Sequence, residues 1–164
     1  MGTSEFAVPI LETIANSSYK ISCVYTQVSK KSNRGQKLNI SPVHKCAKNL
    51  KLILRNPKHL NTKEEFGFIK KINPDIVIVV AYGQLISKKL LGIPKKGFIN
   101  IHASLLPKWR GAAPIQRSIM NSDVETGISI MKIVEDLDAG PVMKKIKIKI
   151  NDSITTEDLS KNLS

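Results

Sequence analysis

Cysteine is nearly absent from this chain. Cys23 and Cys46 are the only two in 164 residues, with no C-x-x-C spacing, which excludes a disulfide framework and gives no sign of a zinc site. Both are expected to be reduced packing residues of a cytoplasmic protein. No apolar run approaches the roughly 20 residues that a membrane span needs, and residues 1–12 lack the basic start and apolar centre of a signal peptide; the chain is expected to be neither membrane-embedded nor exported. Repeats and low-complexity segments are missing too. Acidic side chains are scarce: 13 Asp and Glu stand against 26 Lys and Arg, a net +13. With 41% hydrophobic residues that charge sits on a globular chain rather than a disordered tail. It fits either a polyanionic partner, most simply nucleic acid, or solvated faces that are merely rich in lysine. The length suits one domain with its own core and is too short for two.

What is present alternates strands and helices. Gly2-Thr3-Ser4 reads as a turn capped by Ser4 into a helix from Phe6, with no strand in front of it. A short strand over 20–26 leads into a polar loop over 27–39 that is unusually long. Ser41-Pro42 opens a helix to about Leu50, a brief strand follows over 51–54, and Thr62 caps a helix that Asn73-Pro74 ends. Asp75-Ile-Val-Ile-Val-Val-Ala81 shows no polar alternation, the pattern of a strand buried on both faces in the middle of a parallel sheet. A short helix over 87–91, a strand from Gly97, a helix over 113–121, strands over 126–134 and 142–150, and a helix from Thr155 complete the series. Ile146, Ile148 and Ile150 alternate with Lys145, Lys147 and Lys149, so the last strand has a buried and a solvated face. The lysine row reads as an edge kept from aggregating by charge in preference to an RNA track.

The chemistry concentrates after Gly97, in G-F-I-N-I-H-A-S-L-L-P-K-W-R-G-A-A-P-I. Asn100 and His102, two apart in a strand, share one face, at the edge where open α/β sheets place ligands. An acid is needed to fix the tautomer of His102 and stabilise its charged form. Asp138, in the turn E-D-L-D-A-G-P shaped by Gly140 and Pro141, is the best candidate, with Asp136 as a water-facing turn residue. His44 and His59 read as ordinary surface or core histidines. No convincing serine or cysteine nucleophile, phosphate-cradling glycine loop or metal-spaced histidine pair accompanies the set. A base beside an amide donor suits direct transfer between two bound substrates, the amide polarising a carbonyl whose oxygen becomes negative.

These motifs, N-x-H-x-S-L-L-P, W-R-G-A-A-P-I and L-D-A-G-P, resemble the folate-dependent formyltransferase family, and within it the branch that formylates methionyl-tRNA. V-V-A-Y-G, Y-T-Q, R-G-Q-K-L, S-P-V and E-T-G extend the similarity along nearly the whole chain. The resemblance implies a Rossmann-like, open, mostly parallel α/β sheet with helices on both faces, and transfer of formyl from 10-formyltetrahydrofolate to the amino group of initiator methionyl-tRNA without a metal. It implies Asn100, His102 and Asp138 as the catalytic set. Ser104, Leu105, Leu106 and Pro107 would be a folate-contacting loop, Ala81, Tyr82 and Gly83 a main-chain lining of the pterin pocket, and Arg34 and Lys37 contacts to the tRNA acceptor stem. Against the family pattern, the central first strand is missing ahead of the glycine turn, and the C-terminal β-barrel domain is absent. Residues 1–164 are therefore expected to be a catalytic domain incomplete at both ends, monomeric, with an inactive folate- or tRNA-binding fragment, or an enzyme for another amine acceptor, as the alternatives.

Overall fold

In the computed structural model, which describes residues 1–32, 37–151 and 153–164, the expected alternation is realised with one notable seam. A 3-10 turn over Glu5–Ala7 runs into α1 (Val8–Ala15). Then come β1 (Val24–Tyr25), β2 (Lys30–Ser32), β3 (Lys37–Asn39), α2 (Pro42–Asn49), β4 (Leu54–Arg55), α3 (Lys63–Ile72) and β5 (Val77–Val79). The chain continues through α4 (Lys88–Leu91), β6 (Phe98–His102), α5 (Pro114–Met120), β7 (Glu125–Lys132), β8 (Val142–Lys149) and α6 (Thr156–Leu163). Among the described residues no helix is long and apolar enough to cross a membrane.

The helix starts follow capping chemistry where side chains could supply it. Ser41 Oγ accepts the His44 amide at 3.0 Å ahead of α2, and Thr62 Oγ1 accepts the Glu65 amide at 3.2 Å ahead of α3, each satisfying a donor the helix cannot. Ser4 departs from expectation: its hydroxyl makes no cap, and its carbonyl instead accepts the Ala7 amide at 3.0 Å. The expected loop over 27–39 is in part an antiparallel ribbon, with β2 paired to β3; β-branched residues are few there, so its polar composition concealed the pairing.

The hydrogen-bonded order is β4-β1 in one group and β5-β6-β7-β8 in another. β1 and β4 run parallel, as do β5 and β6, and β7 is antiparallel to both of its neighbours. Residues 1–3 lie in the seam between β1 and β5: the Gly2 amide donates to Tyr25 O and the Val80 amide to Met1 O, both at 2.9 Å, and Gly2 bridges Val80 in parallel. The Met1 nitrogen lies 2.6 Å from Ile78 O. Glycine is required at position 2, since a Cβ there would lie 2.9 Å from Ala7 Cβ and 3.0 Å from Val80 O.

Alternation along these strands feeds a core on each face. Val24, Val80 and Ile128 join Phe6, Val43, Ala47, Ile115 and Leu159 beneath α1, α2, α5 and α6. Tyr25, Val79 and Phe98 join Leu60, Ile69 and Leu90 beneath α3 and α4. Full burial of Phe98 alone removes apolar area worth on the order of 2–3 kcal/mol. β5 is less buried than its sequence implies, because Asp75 and Ile76 precede it exposed. The second departure is β8: its lysines are exposed as expected, with Lys145 Nζ donating to Leu106 O at 2.6 Å, but Ile146 on the face expected to be buried is 48% exposed.

Candidate active site

Asn100 and His102 lie on one face at the carboxyl end of β6, which is where a two-residue period puts them. The turn after β7 folds back over this face. Its base is tied by the Lys132 amide to Pro141 O at 3.0 Å and the Ile133 amide to Phe98 O at 2.8 Å. Asp138 stands in this turn with φ +47°, a conformation that Asp tolerates better than most residues. Its Oδ1 accepts from Asn100 Nδ2 at 3.2 Å, its Oδ2 accepts the Gly111 amide at 2.8 Å, and Oδ2 lies 3.6 Å from His102 Nδ1. The imidazole is only 6% exposed. Its Nε2 is 2.9 Å from the Trp109 carbonyl; a carbonyl can only accept, so the proton is assigned to Nε2 and the neutral ring's lone pair to Nδ1, facing Asp138. Asp136 is exposed.

The segment after β6 is held from both ends. Ser129 Oγ accepts the Leu106 amide at 3.0 Å and donates to Ser104 O at 2.7 Å. Ser104 Oγ in turn donates to Lys108 O at 2.5 Å. Leu105 packs over Gly127, where a Cβ would come within 2.7 Å of Leu105 Cδ2. Of the four residues in this loop, Ser104 and Leu106 are buried, Leu105 is half-buried and Pro107 is exposed. The Leu106–Pro107 peptide is cis. A hollow of about 300 Å³ lies alongside, bounded by Leu105, Pro107, Lys108, Trp109, Lys145 and Lys147.

The loop after β5 is fastened to Thr3 and to Gln27, two residues beyond β1. Thr3 Oγ1 donates to Tyr82 O at 2.9 Å, and Gln27 Nε2 donates to Tyr82 O at 3.0 Å and to Gly83 O at 2.9 Å. Two carbonyls that could have faced a ligand are thus engaged within the protein. Tyr82 turns its ring into the core, while Ala81 and Gly83 are exposed. Beside this loop opens a hollow of about 430 Å³ lined by Gln27, Lys58, His59, Gln84 and Leu85, so His59 faces a cavity while His44 is buried. Arg34 lies outside the described residues, and Lys37 opens β3.

The structure therefore gathers Asn100, His102 and Asp138 and leaves the loops of Ala81 and Ser104 as separate neighbours. Sequence reading missed the Gly111 amide, the Trp109 carbonyl, Ser129 and Gln27. The first two are backbone groups with no residue-type signal; Ser129 and Gln27 are common polar residues whose partners are remote in sequence.

The formyl transferase family model matches residues 1–164. The chain belongs to the formyl transferase family. It is 59% identical over its whole length to the methionyl-tRNA formyltransferase of Pelagibacter ubique (strain HTCC1062), covering 53% of that protein. It is 43% identical, again over its whole length, to the methionyl-tRNA formyltransferase of Caulobacter vibrioides, covering 53% of it. This formyl transferase chain thus spans about half the length of the curated relatives it matches. Among solved structures, phosphoribosylglycinamide formyltransferase from Bacillus halodurans superposes with a TM-score of 0.76 at 21% identity, over 99% of this chain and 84% of that one. A sugar 3N-formyltransferase, WlaRD, determined in the presence of dTDP and 5-N-formyl-THF, gives 0.68 at 20% identity over 98% of this chain and 54% of that one. At these identities the solved structures establish the shared fold.

Proposed function

We propose that residues 1–164 are the formyl-transferring domain of an enzyme that moves a formyl group from 10-formyltetrahydrofolate to the amino group of initiator methionyl-tRNA. The observation that carries this reading is the convergence of Asn100, His102 and Asp138 around one carboxylate. The relatives' names support the acceptor, and within that similarity the motifs R-G-A-A-P-I and R-G-Q-K-L are what narrow it.

The folate co-substrate supplies an activated one-carbon unit, and the residues present fit it. Asn100 has two amide N–H groups and uses one on Asp138, which leaves the second for the formyl oxygen as charge builds there. The exposed Ala81 and Gly83, with Leu85 at 77% exposure, offer apolar surface on the loop after β5 for a flat ring. As the amine adds to the formyl carbon, a new C–N bond forms and the bond to the folate nitrogen breaks. The amine's proton leaves through His102, whose lone pair is held on Nδ1 by the Nε2 donation to Trp109 O, and it returns to the departing nitrogen. Asp138 stabilises the imidazolium so formed. Arg34 and Lys37 are read as phosphate contacts to the acceptor stem, on a surface whose net +13 attracts polyanions. The protein is read as a monomer that works in the cytoplasm.

Single-turnover formylation of initiator methionyl-tRNA tests this, with glycinamide ribonucleotide and an amino-sugar nucleotide as competing acceptors and His102→Ala as control. Formyl transfer to the tRNA that His102→Ala abolishes is the expected result. Preference for another acceptor overturns the substrate; transfer unaffected by His102→Ala overturns the site.

A further inference from the structure

Trp109 is the only tryptophan in the chain, and its backbone is in an unusual state. Its φ is +57°, a left-handed conformation that a bulky side chain seldom adopts without outside support. In this conformation its carbonyl points at His102 Nε2, 2.9 Å away. Its side chain points the other way, and the indole Nε1–H donates to Asp123 Oδ2 at 2.6 Å.

Asp123 is built to hold it. The carboxylate sits between α5 and β7, its own amide anchored to Ser118 O at 2.9 Å. Oδ1 accepts from Lys108 Nζ and from Asn121 Nδ2, both at 2.7 Å. Its side chain is only 4% exposed, where an uncompensated charge would be costly. Burial opposes its ionisation, but the donors from Lys108, Asn121 and Trp109 outweigh it and hold the carboxyl below the usual carboxylate range. The group is therefore an anion at neutral pH and a strong acceptor for the indole.

We propose that Asp123 is a positioning residue for His102: by gripping the Trp109 indole it holds the carbonyl that keeps the imidazole proton on Nε2. Released from Asp123, Trp109 relaxes toward negative φ, its peptide planes rotate, and the carbonyl leaves Nε2. The imidazole then gains most by placing its proton on Nδ1, toward Asp138 Oδ2. That exchange removes the basic lone pair from the nitrogen that faces Asp138. Lys108 also binds Asp123, and its ammonium stands over the indole 5.7 Å from the ring centre, yet it neither accepts the indole N–H nor binds the Trp109 carbonyl, so its loss should leave the tautomer unchanged.

The test is ¹⁵N NMR of the neutral His102 ring in the parent chain and in Asp123→Ala, which leaves no acceptor for the indole, Trp109→Phe and Lys108→Ala. Trp109→Phe keeps an aromatic ring and deletes the N–H donor, so it decides the matter if Asp123→Ala folds poorly. The expected result is an N–H-type resonance at Nε2 in the parent and in Lys108→Ala, moving to Nδ1 or averaging over both sites in the other two. An unchanged tautomer in Trp109→Phe, or an equal change in Lys108→Ala, overturns the proposal. A kinetic arm rests on the formyl-transfer reading: kcat should fall on the order of 10-fold to 100-fold in Trp109→Phe, with KM for either substrate moving less than about twofold. A tautomer shift in a protein with no formyl transfer supports the positioning and removes only that reading.

Discussion

Asp138 Oδ2 lies 3.6 Å from His102 Nδ1 and accepts the Gly111 amide at 2.8 Å, so one carboxylate oxygen ties the imidazole to the loop beyond it. An asparagine there can still accept the Gly111 amide but brings no charge to an imidazolium. Asp138→Asn is expected to slow single-turnover formylation by about 10²-fold, and His102→Ala by about 10²–10⁴-fold. Rapid-quench measurement at saturating substrates checks both. A rate unchanged by Asp138→Asn would mean that the carboxylate serves the fold alone.

Glu65 gives the clearest pH dependence of stability. It is buried in α3, where Arg55 Nη2 donates to Oε1 at 2.6 Å, Arg55 Nε to Oε2 at 2.8 Å and the Tyr25 hydroxyl to Oε2 at 2.6 Å. Burial alone would raise its pKa, but the donors from Arg55 and Tyr25 prevail and hold the carboxyl below its usual value. A depressed folded pKa adds stability that is complete above the unfolded value and fades as pH falls through the folded one. Glu65→Gln is expected to cost about 3 kcal/mol near pH 7, with the gap to the parent closing below about pH 4. Urea melts at both pH values measure it, and a gap that persists in acid contradicts the assignment.

Gly127 controls the approach of the loop to the sheet. A Cβ there would fall 1.9 Å from Ile146 O and 2.7 Å from Leu105 Cδ2, so both β8 and the Leu105 loop would have to move. Gly127→Ala is expected to lower stability by about 1–3 kcal/mol and to raise KM for the folate co-substrate. An unaltered melting curve would show that the strands yield more easily than their geometry implies.

Thr126, the neighbour of Gly127 on β7, is buried. Its hydroxyl is buried with no hydrogen-bond partner among the described residues. Replacing it by an isosteric methyl removes a desolvation cost, so Thr126→Val is expected to stabilise the chain by about 1 kcal/mol. Thermal denaturation by circular dichroism decides; a loss of stability would reveal a partner for the hydroxyl, such as bound water.

Arg34 belongs to the read tRNA contact rather than to the described structure. Arg34→Ala is expected to weaken tRNA use far more than folate binding and to flatten the salt dependence of tRNA affinity by about one counterion. Filter binding across a salt series measures the slope, and equal loss toward both substrates would contradict the assignment.

Periodicity and punctuation were enough to locate most elements, because they act over a few residues. Ser41-Pro42 and Thr62 start helices by local hydrogen bonds, Asn73 ends one at φ +45°, and the all-apolar run of β5 calls for cover on two faces. The two-residue period also put Asn100 and His102 together without any tertiary information. Ser4 and the 27–39 segment escaped because a cap needs a particular rotamer and a β-ribbon needs a register, and neither follows from composition.

The sequence by itself determined the residue types of the site, the alternating architecture and the basic surface, since each is a local or summed property. Only the tertiary structure decided that residues 1–3 lie in the seam between β1 and β5, that Asp138 rather than Asp136 meets His102, and that the 104–109 loop rests on Ser129 and Lys145. It also decided the imidazole's tautomer, through the Trp109 carbonyl. These contacts join segments far apart in the chain, and backbone groups that every residue carries alike make several of them; packing alone selects which of those identical groups come within hydrogen-bonding distance.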